Sequence, residues 1–362
     1  MKYNIRITKA KESHLSEVDF NNIPFGRVFS DHMFVVDYKN GEWIDPRIEP
    51  FGRFGIHPAA MALHYGQAIF EGMKASKSYD GKPMLFRPER HAHRINNSAR
   101  RLCMPEIPED LFLDGLHALI AIDSNWIPAQ EGSALYIRPF MFANDEFIGV
   151  RPSESYKFFI ITGPVGPYYP KPVSLLVEEK YARCAVKGGT GEAKAAGNYA
   201  GSLLPAKLAQ EKGYDQVMWL DSNEFKYVQE VGTMNIFFVI DGKIITPALD
   251  GGILQGITRD SILKIFREKG FQVEERRITI DEVAQAYKAG KLQEVFGAGT
   301  AAIVSHVSRI LYGELLMELP PVESRKYGEL AKAEINGLRS GRIKDTHGWI
   351  VPVKSPVAMK VG

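Results

Sequence analysis

The sequence predicts a mixed α and β architecture in two domains, not a single doubly wound parallel sheet. Turn-forming Asn-Gly and Asp-Gly pairs recur between extended segments, helical spacings lie among them, and one proline-rich stretch divides the chain near its middle.

The turn pairs are Asn40-Gly41, Asp80-Gly81 and Asp241-Gly242. Each suits a hairpin turn that needs positive φ, and flanks rich in Val, Ile, Phe and Tyr suit antiparallel strands. Residues 236–246 read as one such hairpin about Asp241-Gly242. After Pro88, the spacing over 89–102 suits a helix with a mostly polar face. A second helix is expected from about Arg259 to Lys269, burying Ile262, Leu263, Ile265 and Phe266 and closing at Gly270. A third is expected to begin at Asp281, acting as N-cap, and to end near Gly290. Residues 292–296 read as a strand leading toward the apolar pair Ile303-Val304.

Residues 163–172, Gly-Pro-Val-Gly-Pro-Tyr-Tyr-Pro-Lys-Pro, hold four prolines in ten positions. Such a run cannot continue a helix or a central strand. It reads as a linker between a smaller N-terminal domain, 1–162, and a larger C-terminal domain, 173–362. No internal repeat or low-complexity segment interrupts either part.

At 362 residues the chain exceeds what one small core needs, and 45% hydrophobic with 24% charged residues is ordinary for a soluble globular protein. The formal net charge of +2, without a long Lys/Arg run, gives no reason to expect nucleic acid or an acidic membrane surface as partner. Only Cys103 and Cys184 occur and they form no CxxC pair, which argues against a disulfide framework or a cysteine zinc site and fits a reducing compartment. The polar start lacks the apolar core of a secretory signal, and no apolar stretch has the length of a membrane span. A cytoplasmic location is the expectation.

Several familiar sites are absent. There is no HExxH, no EF-hand loop and no Gly-x-x-x-x-Gly-Lys-Ser/Thr. His91 and His93 stand two apart on an expected helix, so they point to different faces and make a poor metal pair; solvated helix histidines are the expectation, and no metal site is assigned.

Four segments can carry chemistry. In Gly191-Glu192-Ala193-Lys194-Ala195-Ala196-Gly197-Asn198-Tyr199, small residues surround one long amine and leave room for a bulky ligand. Partial desolvation favours the neutral, nucleophilic amine that Schiff-base chemistry needs; an exposed lysine in a flexible loop is the plainer alternative. In Gln229-Glu230-Val231-Gly232-Thr233-Met234-Asn235, a carboxylate enters an apolar run and requires a cation or proton donor. A protonated pyridine nitrogen fits, and so does a structural salt bridge to Arg or Lys. Gln255-Gly256-Ile257-Thr258 runs into a helix start, where free amides and the helix dipole make an anion site; Thr258 as simple N-cap is compatible with that. Phe296-Gly297-Ala298-Gly299-Thr300-Ala301-Ala302 suits a backbone nest for a carboxylate or phosphate, or an ordinary glycine-rich connection.

Together these segments resemble the branched-chain amino-acid aminotransferases, of the fold-type IV class of pyridoxal-phosphate enzymes. The match runs from Phe29-Ser30-Asp31-His32-Met33 through Phe70-Glu71-Gly72-Met73-Lys74-Ala75 to the Gly-Thr-Ala loop. Its most specific part is the ordered set Lys194-x-x-Gly197-Asn198-Tyr199, Glu230-Val231-Gly232-Thr233-Met234-Asn235 and Gly256-Ile257-Thr258-Arg259. The resemblance implies two domains with the active site at their interface, and a homodimer in which the segment Phe147-Ile148-Gly149-Val150 corresponds to a loop reaching the neighbour's site.

The resemblance also implies roles. Lys194 falls on the Schiff-base lysine of pyridoxal 5'-phosphate, Glu230 on the acid facing the pyridine nitrogen, and Tyr199 on the tyrosine at the phenolic oxygen. Arg94 matches the phosphate-binding arginine, with Ile257, Thr258 and Thr300 completing the phosphate cup. The amides of Thr300 and Ala301 match the site for the substrate α-carboxylate. Phe29, Tyr65, Phe70, Tyr136, Arg138 and Tyr168 match the wall of the side-chain pocket, with Arg138, Tyr65 and Tyr136 meeting the second carboxylate of glutamate. The implied reaction is a reversible ping-pong transfer of the amino group between L-leucine, L-isoleucine or L-valine and 2-oxoglutarate, giving branched-chain 2-oxo acids and L-glutamate. D-amino-acid aminotransferases and aminodeoxychorismate lyases share the lysine and acid and are the nearest rivals; a non-enzymatic phosphate-binding protein is the rival of another class. Where animal members carry a CxxC redox pair, this chain has Ala302 and Ser305, so no thiol switch is expected.

Overall fold

The computed structural model describes residues 1–130, 132–166, 171–184 and 186–354. The chain folds as two units, neither contiguous: Met1–Tyr168 with Ala193–Ala196 and Gly337–Gly362, and Tyr169–Glu192 with Gly197–Asn336. No helix among the described residues is long and apolar enough to cross a membrane.

In chain order the strands begin with β1 (Arg6–Ile7), β2 (His32–Lys39), β3 (Glu42–Pro50), β4 (Ala68–Phe70), β5 (Met73–Lys77), β6 (Pro83–Phe86), β7 (Ala134–Ala143) and β8 (Tyr156–Val165). The second unit holds β9 (Val173–Glu178), β10 (Gln216–Leu220), β11 (Val228–Val231), β12 (Met234–Ile240), β13 (Lys243–Thr246), β14 (Val273–Glu275), β15 (Leu292–Gly299), β16 (Ile303–Tyr312) and β17 (Leu315–Glu318), and β18 (Ile350–Pro352) returns to the first. The α-helices are α1 (Met61–Tyr65), α2 (Pro88–Arg101), α3 (Glu109–Ile122), α4 (Ala196–Ala200), α5 (Leu203–Glu211), α6 (Ile257–Glu268), α7 (Ile280–Lys288) and α8 (Tyr327–Ser340).

The first unit is one largely antiparallel sheet in the order β1-β3-β2-β8-β7-β5-β6-β18, with β4 also paired to β7. Alternation along the strands buries Phe34, Val36, Leu85, Ile137, Phe158 and Ile160 against α2 and α3. Gly115, inside α3, is the point of closest approach: a Cβ there would stand 2.5 Å from the Phe34 ring. The ring's burial offsets the roughly 1 kcal/mol that glycine costs a helix interior. β8 pairs with β7 through Gly163-Pro164-Val165, so the strand reaches three residues into the proline-rich stretch. By then β8 has passed its last rung with β2, at Ile161, and the N–H that Pro164 lacks is not needed on that side.

In the second unit the order β11-β10-β9-β16-β15-β12 closes on itself because β11 also pairs with β12, making a small barrel that β13, β14 and β17 extend. Its core gathers Leu175, Met218, Ile236, Phe238, Val295, Val307 and Ile310, with Ile280 and Val283 of α7 laid against them. The hairpin about Asp241-Gly242 forms as expected, both turn residues having positive φ (52 and 77). Two helix starts differ from expectation. α6 begins at Ile257, with Gly256 as N-cap and Thr258 already inside the first turn. α7 begins at Ile280 with Thr279 as N-cap, its side chain accepting from the Glu282 amide at 3.0 Å; an acid inside the first turn, Asp281, serves the helix dipole instead. β15 runs on to Gly299, since both glycines of the loop pair with β16.

Candidate active site

In the first unit Lys194 is held by its backbone. Its carbonyl accepts from the Phe70 amide at 3.0 Å, Ala195 bridges to Ile69, and its amide donates to Ser98 Oγ at 2.9 Å. Ser98, buried on α2, donates in turn to the Arg94 carbonyl at 3.2 Å. One hydroxyl thus ties the lysine segment to the helical turn that carries Arg94. The Lys194 ammonium stands 4.9 Å from the centre of the Phe70 ring.

Between β4 and β5 lies Glu71, fully buried. Oε1 accepts from Arg94 Nε at 2.6 Å, and Oε2 accepts from Arg94 Nη2 at 2.8 Å and from His91 Nδ1 at 2.7 Å. Arg94 and His91 reach one carboxylate because they are three apart on α2. Burial pushes the Glu71 carboxyl up, but the Arg94 charge and the bonds from both partners outweigh it and hold the group below the usual carboxylate range. Burial pushes the His91 imidazole down, against Glu71. This corrects the sequence reading of a solvated histidine. His93 is exposed as expected, but His91 is 2% exposed, because its face of α2 is the one that packs inward.

Phe70, Tyr136 and Arg138 make one wall. The Arg138 guanidinium lies 4.5 Å over the Phe70 ring and donates from Nη2 to Tyr136 Oη at 2.9 Å. Among the described residues its buried Nε has no hydrogen-bond partner, and a buried N–H in that condition wants an acceptor. Gly72 makes the wall possible, since a Cβ there would meet Tyr136 Oη at 2.5 Å. Phe25, which the sequence did not single out, packs edge-on to Tyr136 at 5.4 Å. Phe29 stacks on Phe51 at 4.8 Å, and Tyr65 is 40% exposed at the end of α1 beside His64. Tyr168 lies outside the described residues.

The second unit carries the acid. Glu230 on β11 stands opposite Asn235 on β12 and is 3% exposed. Arg183, also buried, donates to its Oε2, and Asn235 Nδ2 approaches Oε1 at 3.4 Å while donating to the Leu254 carbonyl at 3.0 Å. Asn235 therefore links the acid to the loop that enters α6. The Arg183 guanidinium lies 5.8 Å from the Tyr199 ring, so tyrosine, arginine and acid form one chain of contacts. Of the alternatives weighed for Glu230, the structural salt bridge is present.

Gly256 starts α6 without a side-chain cap, and a Cβ there would overlap Asn235 Oδ1. Ile257 and Thr258 are the first two helical residues, both buried, and their amides belong to the group that a helix cannot satisfy internally. The turn 300–302 joins β15 to β16, and by register it lies at the same end of the barrel as the β11–β12 turn. Directly after it Ile303 takes φ 63, a left-handed conformation that costs a β-branched residue about 1–3 kcal/mol and persists only where the surroundings enforce it.

Residues 68–310 match the family model described as Amino-transferase class IV. Over 342 residues the chain is 51% identical to Branched-chain-amino-acid aminotransferase 2 of Bacillus subtilis (strain 168), spanning 92% of this chain and 93% of that one. The chain belongs to the class IV aminotransferases. Among solved structures of this family, the branched-chain amino acid aminotransferase of Escherichia coli aligns with TM-score 0.71 at 28% identity, covering 90% of this chain and 99% of that one. A T.th. branched-chain amino acid aminotransferase complexed with N-(5'-phosphopyridoxyl)-L-glutamate aligns with TM-score 0.70 at 27% identity, covering 88% and 98%. The aminotransferase fold of type IV is therefore the fold of this chain.

Proposed function

We propose that this aminotransferase exchanges the amino group between L-leucine, L-isoleucine or L-valine and 2-oxoglutarate, using pyridoxal 5'-phosphate. The observation that carries the reading is the wall of Phe70, Tyr136 and Arg138 beside Lys194: an apolar ring surface with one cation laid over it. An aliphatic side chain gains roughly 1.5–3 kcal/mol from burial against such a surface, and the Arg138 Nε–H, without a partner among the described residues, would meet the second carboxylate when glutamate takes its place. The near-full-length identity to the B. subtilis enzyme and the phosphopyridoxyl-glutamate in the T.th. structure support the same substrates and cofactor.

The residues fit that cofactor. Lys194 supplies the amine that holds it covalently, Tyr199 a phenol, and Glu230 a buried carboxylate for the ring nitrogen. The resemblance assigns the phosphate to Arg94, to Thr300 and to the amides at the start of α6, Ile257 and Thr258. When bound, the cofactor would supply an electron-withdrawing ring that takes up the charge left when the substrate α-carbon loses its proton. Lys194 Nζ would take that proton from the substrate α-carbon and deliver it to C4′ of the cofactor. Arg183 donates to Glu230, the carboxylate that would face the ring nitrogen, and the amides of Thr300 and Ala301 would orient the substrate α-carboxylate.

A homodimer in the cytoplasm belongs to the same proposal. It rests on the resemblance and on the segment 147–150, where Ile148 and Val150 are 68% and 91% exposed in the single chain. The test is an absorbance spectrum of the purified protein and an assay with L-leucine, D-alanine and aminodeoxychorismate. Turnover of L-leucine with 2-oxoglutarate is expected. Preference for either of the others would move the chain to a different branch of the family, and a colourless protein would remove the cofactor.

A further inference from the structure

We infer that Glu71 is a positioning residue for the cofactor phosphate, acting through Arg94; this rests on the reading of Arg94 as the phosphate arginine. A carboxylate so close to an anion site works against affinity by charge alone, so its use must be geometric. Glu71 takes the Nε–Nη2 edge of the guanidinium in two parallel bonds of 2.6 and 2.8 Å. That two-pronged grip fixes the plane and roll of a planar fork, which a single contact would leave free to turn. The carboxylate is itself prevented from turning. His91 Nδ1 bonds Oε2 at 2.7 Å, the Gly72 amide approaches the same oxygen at 3.2 Å, and no part of the group meets solvent.

Burial makes the arrangement obligatory. Arg94 is 7% exposed and Glu71 fully buried, and breaking a buried pair by removing one partner is strongly unfavourable. Glu71 therefore locks Arg94 in one orientation before any phosphate arrives. The same turn of α2 is tied through Ser98 to the backbone of Lys194. The phosphate anchor and the reactive amine are thus set by one rigid piece of the first unit, from Glu71 through Arg94 and Ser98 to Lys194.

The full-length chain, stripped of cofactor, is retitrated with pyridoxal phosphate and with pyridoxal, which lacks the phosphate, in wild type, Glu71→Gln, Arg94→Ala and the double variant. Pyridoxal phosphate is expected to bind Glu71→Gln about tenfold or more weaker, a change of about 1.4 kcal/mol, with pyridoxal affected less than about twofold. Arg94→Ala should show the same selectivity, and adding Glu71→Gln to it should cost no more. If Glu71→Gln binds pyridoxal phosphate as wild type does while Arg94→Ala loses it selectively, the positioning role is wrong and the Arg94 assignment stands. If Arg94→Ala also binds normally, the Arg94 assignment itself fails. Should Glu71→Gln not fold, Arg94→Lys replaces it: a point charge that cannot take the two-pronged grip should lose the phosphate preference, and retention of that preference would overturn the proposal.

Discussion

Arg183 donates through Nη2 to Oε2 of Glu230, and both side chains are buried, so the acid opposite Asn235 in the barrel is paired with a cation from 47 positions earlier in the chain. A buried carboxylate gains its ionised form only with such a partner.

That pairing sets the first prediction. Glu230→Gln keeps the shape and a hydrogen-bond acceptor for Arg183 but loses the charge that serves the ring nitrogen. The variant is expected to bind cofactor and to slow the single-turnover half-reaction with L-leucine by about a hundredfold or more, the scale on which one preorganised electrostatic contact counts. Stopped-flow absorbance checks this, and a near-normal rate would leave the acid with only its structural role.

A second prediction concerns the pocket. Arg138→Leu removes the cation over Phe70 while keeping an apolar side chain. The kcat/KM for glutamate should fall by about thirtyfold or more, about 2 kcal/mol for the loss of a buried charge partner, while that for L-leucine changes little. Equal losses for both substrates would place Arg138 in the scaffold and not in the choice between side chains.

How much of this is legible in the sequence depends on range in the chain. The Asp241-Gly242 hairpin and the helices after Pro88 and Gly256 follow from residues next to one another, and local patterning places them to within a few positions. Helix starts slip where two capping residues compete: Thr279 takes the N-cap and Asp281 the first turn. Glu71, His91 and Arg183 escape as parts of a site because Glu71 stands 20 and 23 positions from His91 and Arg94, and Arg183 stands 47 from Glu230, and periodicity carries no information over such distances. His91 and His93 look alike in sequence. Only the packing of α2 decides which is buried.

A third prediction is a pH dependence of stability. His117, on α3, is buried, and its Nδ1 lies 3.2 Å from the Lys354 amide that donates to it. Burial, with Lys354 nearby, pushes the imidazole down to about 4. The unfolded chain takes up the proton near pH 6.5 and the folded chain does not until about 4. This stability is therefore present above about pH 6.5 and is lost progressively as pH falls to about 4. The loss should be of order 2 kcal/mol once solvent screening is allowed for. Burial pushes His91 and His306 down as well, so both act in the same direction. Urea unfolding of wild type and His117→Gln at pH 7 and pH 5 checks this: the difference between the two pH values should shrink in the variant, and an unchanged difference would assign the effect to other groups.

The whole reaction turns on which side chain holds the cofactor. Reduction of the holoenzyme with borohydride, followed by peptide mapping, should find one pyridoxyl group, on Lys194, with Lys194→Ala both colourless and inactive. A label on another lysine, no label at all, or turnover by the alanine variant would contradict it.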